Sequence, residues 1–425
     1  MERLMQYVWQ HRLWNPRRMV TVDGRPVHVI DPGRINTDAG PDFFNAKIRI
    51  GSQLWVGDIE IHVKASDWFR HNHTNNRAYD SVVLHVVAVN DALVTLPTSG
   101  ESIPQVVMQC DENFSSYYSK FIEKAGSELP CASILSNLQT LYVTDWIEAL
   151  ALERLHDKTE RIKQLLRFTV NSWEEVCYIT LARALGTGIN GDAFQRLALI
   201  TPLRLLRKHS DSITSIESIL LGQAGMLEEN RPADPRYSTL QREYRFFKAK
   251  FGLKTPDNLN WKMARIRPGN SPANRIRTLA AFIAQGFRLT TDILDIENET
   301  DALALFENRL GKTMASSMVI NVAAPILYGY GNISLSARKG EQYEQKAIYL
   351  LEVLMPEKNF IVSMFEKSGI RCKNAFDSQA LIQLRRNYCD QRKCLFCRFG
   401  HRIMADRAVK KNNSFLGCET FELYQ

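Results

Sequence analysis

Between Trp55 and Lys64 polar and apolar residues alternate: Asp58, Glu60, His62 and Lys64 fall on one side, Ile59, Ile61 and Val63 on the other. A period of two is the signature of a strand, whose side chains point to opposite faces in turn. Residues 43–50 carry a second strand-like run, and Gly51-Ser52 between the two predicts a hairpin. Residues 19–22 and 26–30 flank Asp23-Gly24, which predicts another. Residues 81–89 are almost continuously apolar, as expected of a strand covered on both faces. Ahead of them all, Leu4, Tyr7, Val8, His11 and Leu13 suit one side of a short opening helix.

From about Leu129 the period lengthens to that of helices, predicted over 144–166, 176–185, 193–208, 215–227, 238–251, 275–285, 300–310, 342–354 and 378–388. Ser172 and Glu175 form a capping box before the second of these, and Gly186 suits its stop. The pattern gives an α+β chain: a mixed α/β domain with a central sheet over 1–125, then an α-helical domain over 126–370. A basic, cysteine-rich segment, 371–425, is expected to pack on the helical domain.

The chain has 425 residues, 45% hydrophobic and 24% charged, which excludes collagen-like, wholly disordered and disulfide-scaffold classes. The net charge of +8 is unevenly spread. Residues 245–277 hold nine Lys or Arg against Asp257 alone, and residues 371–411 hold eleven against Asp377, Asp390 and Asp406. The uncharged run 313–337 contains Asn321, Pro325, Gly329, Gly331 and Asn332, so a buried core element is expected rather than a membrane span. Residues 1–10 show no apolar signal core, and a reducing cytoplasm without disulfides is the expectation for the eight cysteines.

Two carboxylates converging beside a cation suit a Mg²⁺ or Mn²⁺ site, where oxygen ligands leave room for water and a phosphate oxygen. The candidates are Asp42 and Glu60 as ligands, with His62 or Lys64 orienting or deprotonating the attacking water. Pro41-Asp42, followed by Glu60-Ile61-His62 on the alternating strand, resembles the PD-(D/E)XK phosphodiesterase superfamily, which includes restriction endonucleases and recombination exonucleases. Glu2 matches an acid that many members carry on the first helix, and the order helix, three strands, helix, strand fits that core. The resemblance implies a nuclease-like domain in the first 110 residues or so. His62 departs from the pattern, standing where that superfamily usually has lysine. Across the whole chain, Asp38-Ala-Gly-Pro-Asp-Phe43, Gly57-Asp-Ile-Glu-Ile-His62, Ser66-Asp-Trp68 and Leu221-Gly-Gln-Ala-Gly225 also resemble a bacterial domain-of-unknown-function family.

His62, His71, His73 and His85 fall close together in the chain. His71 and His73 suit substrate contact or a transition metal, and His85 suits a core position. At the other end, Cys389-x4-Cys394-x2-Cys397 with His401 suggests a Cys₃His zinc knuckle. Cys372 is the rival fourth ligand, for zinc or an iron–sulfur cluster. Arg265, Arg267, Arg275 and Arg277 flank a Pro/Gly turn and can meet a phosphate backbone, with Phe246, Phe247, Phe251 and Trp261 interleaved nearby. An amphipathic helix with solvated bases explains the same stretch.

The leading expectation is a Mg²⁺- or Mn²⁺-dependent nuclease acting on DNA or RNA. The alternative is a non-catalytic nucleic-acid-binding or scaffold protein on a degenerate nuclease fold. A third reading is a zinc hydrolase of small substrates, which requires His71, His73 and an acid such as Asp67 to converge.

Overall fold

The computed structural model describes residues 1–12, 14, 19–36, 40–109, 118, 129–227, 235–254, 259–263, 266, 268–284, 286, 288–334 and 336–403. The chain divides into two compact units, one of residues 1–138 with 386–425 and one of residues 139–385.

The first unit is built on a six-stranded mixed sheet. Helix α1 (Glu2–Gln10) precedes β1 (Val27–Asp31), β2 (Arg34–Ile35), β3 (Phe43–Ile50) and β4 (Gln53–Lys64). The single turn α2 (Asp67–Arg70) and two 3₁₀ turns, His73–Asn75 and Arg77–Tyr79, lead to β5 (Val82–Val89), and β6 (Gln105–Val107) follows. The strand order is β1-β3-β4-β5-β6, with β2 paired to β3. β1, β3 and β4 are antiparallel neighbours, whereas β4, β5 and β6 run parallel. One face buries Ile59 and Ile61 with Leu84 and Val86 against Met5, Val8 and Trp9 of α1. The other carries a smaller cluster of Trp68, Tyr79, Val82, Val94 and Ile103.

The Gly51-Ser52 hairpin is present, with Ile50 opposite Gln53 and Gly51 at φ +60°. The Asp23-Gly24 turn also closes, through a bridge between Val20 and Pro26, but it joins no strand pair. Residues 27–31 pair with β3 instead, because their apolar side continues the face that α1 covers.

The second unit is helical. Ser172 caps the helix Trp173–Leu185 by accepting the Glu175 amide. The expected buried core element forms over Ala315–Leu327, within the helices Lys312–Met318 and Ala324–Ser334 joined by a π-helical turn, Val319–Ala323. The helix Ala324–Ser334 packs on Ala337–Val353 through Gly331 and Gly340, where an added Cβ would meet the opposite glycine's carbonyl oxygen at 2.5 and 2.2 Å. Among the described residues, no helix is long and apolar enough to cross a membrane.

The expected placement of the C-terminal segment on the helical domain needs correction. Its described residues 386–403 group with the sheet unit, while 371–385 stay with the helical one. The physical reason is local: the His401 ring reaches α1, its Nδ1 2.7 Å from the Tyr7 hydroxyl.

Candidate metal centre

Asp42 sits one residue before β3, in a loop held by Asn36, whose amide N–H donates to the Asp42 carbonyl and whose side chain donates to the Pro41 carbonyl. The neighbouring strand β4 presents Glu60 beside it. The Asp42 N–H donates to Glu60 Oε2 at 3.1 Å, and the Ile61 N–H donates to Asp42 Oδ2 at 2.9 Å. Gln6 of α1 donates to Asp42 Oδ1 at 2.8 Å. Asp42 and Glu60 are thus neighbours, and the Asp42 backbone N–H fixes one oxygen of Glu60. The other oxygen, Oε1, is aimed elsewhere.

It is aimed at histidines. Glu60 Oε1 lies 3.3 Å from His62 Nε2 and 3.1 Å from His73 Nε2. His62 Nε2 is also 3.1 Å from His71 Nδ1. Among the described residues, His62, His71 and His73 have ligand atoms within 4.8 Å of one another, close enough to share an ion. The His73 contact is short but not aligned as a hydrogen bond, and Nε2 has no hydrogen-bond partner. Ligands roughly 2.0–2.1 Å from a tetrahedral ion stand about 3.3 Å from each other, so these separations suit a common ion.

Local backbone explains the convergence. Glu60 and His62 share a face by the period of two, and the parallel register sets His85 of β5 opposite Glu60. His85 Nε2 lies 2.9 Å from His62 Nδ1, so it holds the far nitrogen of that ring, as an outer partner holds a metal-ligating imidazole. After α2 the chain reverses at Asn72, which takes the left-handed conformation at φ +59°, tolerable for asparagine. His71 remains exposed while His73 is buried, stacked on Tyr79 with ring centroids 3.8 Å apart. Trp68, fully buried, stands edge-on to His73 and seals the inner wall.

The electrostatics follow from burial. Burial pushes His62 down to about 2 and His85 to about 3, with the neighbouring histidines adding to both shifts, and it lowers His73. These rings are neutral, the state in which imidazole binds a metal. Asp42 and Glu60 are raised, first by burial. The Glu60 charge and then Glu2 add to the rise at Asp42, and Glu2 adds to it at Glu60. The site thus pairs strained carboxylates with neutral rings, a combination that a cation relieves.

Other expected residues take different positions. Lys64 is exposed at the end of β4, where its charge is felt by Asp91. Asp67 does not supply the acid for the histidines. Its carboxylate accepts the Lys64 N–H and pairs with Arg70, and the acid that meets the histidines is Glu60. Arg277 is drawn to the buried Glu217 at 2.8 Å and Arg275 to Asn270, both contacts that hold local structure. Arg265 and Arg267 lie outside the described residues. His401 is turned to Tyr7 and packs against the His11 ring. The thiol that sequence spacing missed is Cys131, remote in sequence, whose thiol burial and the nearby Cys397 and Cys394 push up to about 12. Cys389 is half-buried, and Cys394 and Cys397 are buried.

No curated protein and no solved structure shows significant similarity to the chain. Residues 2–310 match the family described as "Protein of unknown function (DUF2851)", and the chain belongs to that family.

Proposed function

We propose that this protein is a metal-dependent phosphodiesterase acting on nucleic acid, with its ion held by Glu60, His62, His71 and His73. The observation that carries the proposal is the meeting of Glu60 Oε1 with the Nε2 atoms of His62 and His73 at 3.3 and 3.1 Å. An imidazole-rich set suits Mn²⁺, Zn²⁺ or a similar transition ion better than Mg²⁺, which prefers oxygen ligands and its own waters. His62 then has a purpose in the position where lysine is usual: it contributes a ligand rather than a charge. Asp42 acts through Glu60, fixing Oε2 so that Oε1 faces the rings.

A bound ion lowers the pKa of water and polarises a phosphoryl oxygen. In the hydrolysis, the water oxygen bonds to phosphorus, the P–O bond to the leaving sugar oxygen breaks, and a proton of the water ends on that oxygen. Substrate enters from the exposed side at His71. Support for a nucleic-acid substrate comes from the positions of Asp42 just before β3 and Glu60 on β4, in the order helix, three antiparallel strands, helix, parallel strand, and from the two basic segments.

The test is cleavage of single- and double-stranded DNA and RNA by protein with its metal content measured, under Mn²⁺ and Zn²⁺. Metal-dependent cleavage that Glu60→Gln abolishes is expected. Metal-replete protein that binds these strands in a salt-dependent way and cleaves none of them would instead favour the non-catalytic nucleic-acid-binding reading.

A further inference from the structure

Within the helical unit, the helix Thr187–Ile200 and the strap of residues 259–262 enclose a cleft of about 610 Å³. Small-molecule sites usually span roughly 300–1,000 Å³. Ile189, Asp192, Ala193 and Arg196 line one wall, a single stripe of the helix at three- and four-residue spacing. Leu259, Asn260, Trp261 and Lys262 line the other.

The strap is fastened in a way that its own sequence does not require. Asn190 is buried, and its side-chain amide donates to the Lys262 carbonyl at 3.0 Å while its carbonyl accepts the Lys262 N–H at 2.9 Å. Trp261 donates from its indole N–H to the Ala224 carbonyl at 2.9 Å and meets Phe194 edge-on. Asn260 is held in the left-handed region at φ +57°. A buried side chain that bonds both the N–H and the C=O of one residue, beside a left-handed non-glycine residue, keeps the wall in a fixed shape.

The charge in this shape is positive. Arg183 pairs with Asp192 at 2.5 Å, so the one acid of the lining is matched. Arg196 and Lys262 are both exposed, and among the described residues neither has a carboxylate in ion-pair range. Ile189, beside Arg196 on the helix, and Leu259 and Trp261, beside Lys262 on the strap, give each wall an apolar part.

We propose that this cleft binds a nucleotide, its phosphate between Arg196 and Lys262 and its sugar and base against Ile189, Leu259 and Trp261. Cations fix the phosphate, and the apolar side chains of both walls take the sugar and base. The nucleotide is either free or part of a single strand, and both present the same chemistry.

Calorimetry on the full chain with adenosine 5′-monophosphate, adenosine and a short oligodeoxythymidylate tests this. The monophosphate and the oligonucleotide are expected to bind, adenosine to bind at least about tenfold more weakly, and Arg196→Ala with Lys262→Ala to weaken phosphate-dependent binding about tenfold or more. Both substituted residues are exposed, and a thermal melt verifies that the variant folds. An oligonucleotide at least about tenfold tighter than the monophosphate identifies a strand as the ligand, and equal affinities identify a free nucleotide. Absence of binding by both, binding unchanged in the double variant, or adenosine as tight as its monophosphate would overturn the proposal. No cleavage is measured, so the outcome is separate from that of the phosphodiesterase reading.

Discussion

Glu60 and His73 meet at 3.1 Å between Oε1 and Nε2 without the alignment of a hydrogen bond. His73 lies beyond the end of β4, on a turn that the left-handed Asn72 redirects, so the contact is made by the fold and not by the strand. Two groups held close without bonding to each other suit a third partner between them, and a metal ion fits that place.

Glu60 and Asp42 then differ in rank. Glu60→Gln and His73→Ala remove a ligand each, whereas Asp42→Asn keeps the backbone N–H that holds Glu60 and weakens only the carboxylate that accepts Gln6 and the Ile61 N–H beside it. Titration of the metal-free protein with Co²⁺ or Mn²⁺ should show Asp42→Asn weakening binding about 10–100-fold and Glu60→Gln weakening it by more. Equal effects at both positions would mean that Asp42 ligates the ion directly.

The pH dependence of the metal-free protein has a fixed sign. Asp42 and Glu60 keep protons in the folded chain at pH values where the unfolded chain has released them. Their contribution to stability therefore falls as pH rises above the ordinary carboxylate range. The depressed histidines act oppositely, but only below the ordinary imidazole value of 6.5, above which both states are neutral. Urea midpoints measured with chelator should accordingly decline above pH 6.5, and saturating Mn²⁺ should remove the decline. A midpoint that rises there would contradict the shared burial of the two carboxylates.

Glu217 is buried and pairs with Arg236 at 3.0 Å and Arg277 at 2.8 Å, both arginines being largely exposed. Solvent screens the arginine ends, so Glu217→Gln is expected to cost about 1–2 kcal/mol. Arg277→Ala should lower thermal stability while leaving affinity for nucleic acid unchanged. A loss of affinity without a loss of stability would return Arg277 to the binding surface.

Gly331 and Gly340 allow two helices to touch backbone to backbone. Alanine at either position places a Cβ against a carbonyl oxygen, and because neither contact is with a movable side chain the helices must separate. Each substitution should cost about 1–3 kcal/mol or more in denaturant unfolding. A neutral effect would show that the pair is more loosely packed than the structure indicates.

Much of the fold was legible from period and punctuation. The alternation around Glu60 and His62, the hairpin at Gly51-Ser52, the cap at Ser172 and the buried run within 313–337 are all local consequences of side-chain direction and turn chemistry, which the sequence carries directly. Asp42 and Glu60 could be paired on paper because a two-residue loop fixes the register of the strands it joins. Tertiary structure alone decided which acid meets the histidines, since that depends on where the chain turns after α2 and on the parallel register that brings His85 to His62. It also decided that His401 serves Tyr7 and that Cys131 approaches Cys394 and Cys397 from far along the chain. Periodicity reports the face on which a residue lies; which face of another element it meets is set by chain reversals and long-range packing, and no local pattern encodes those.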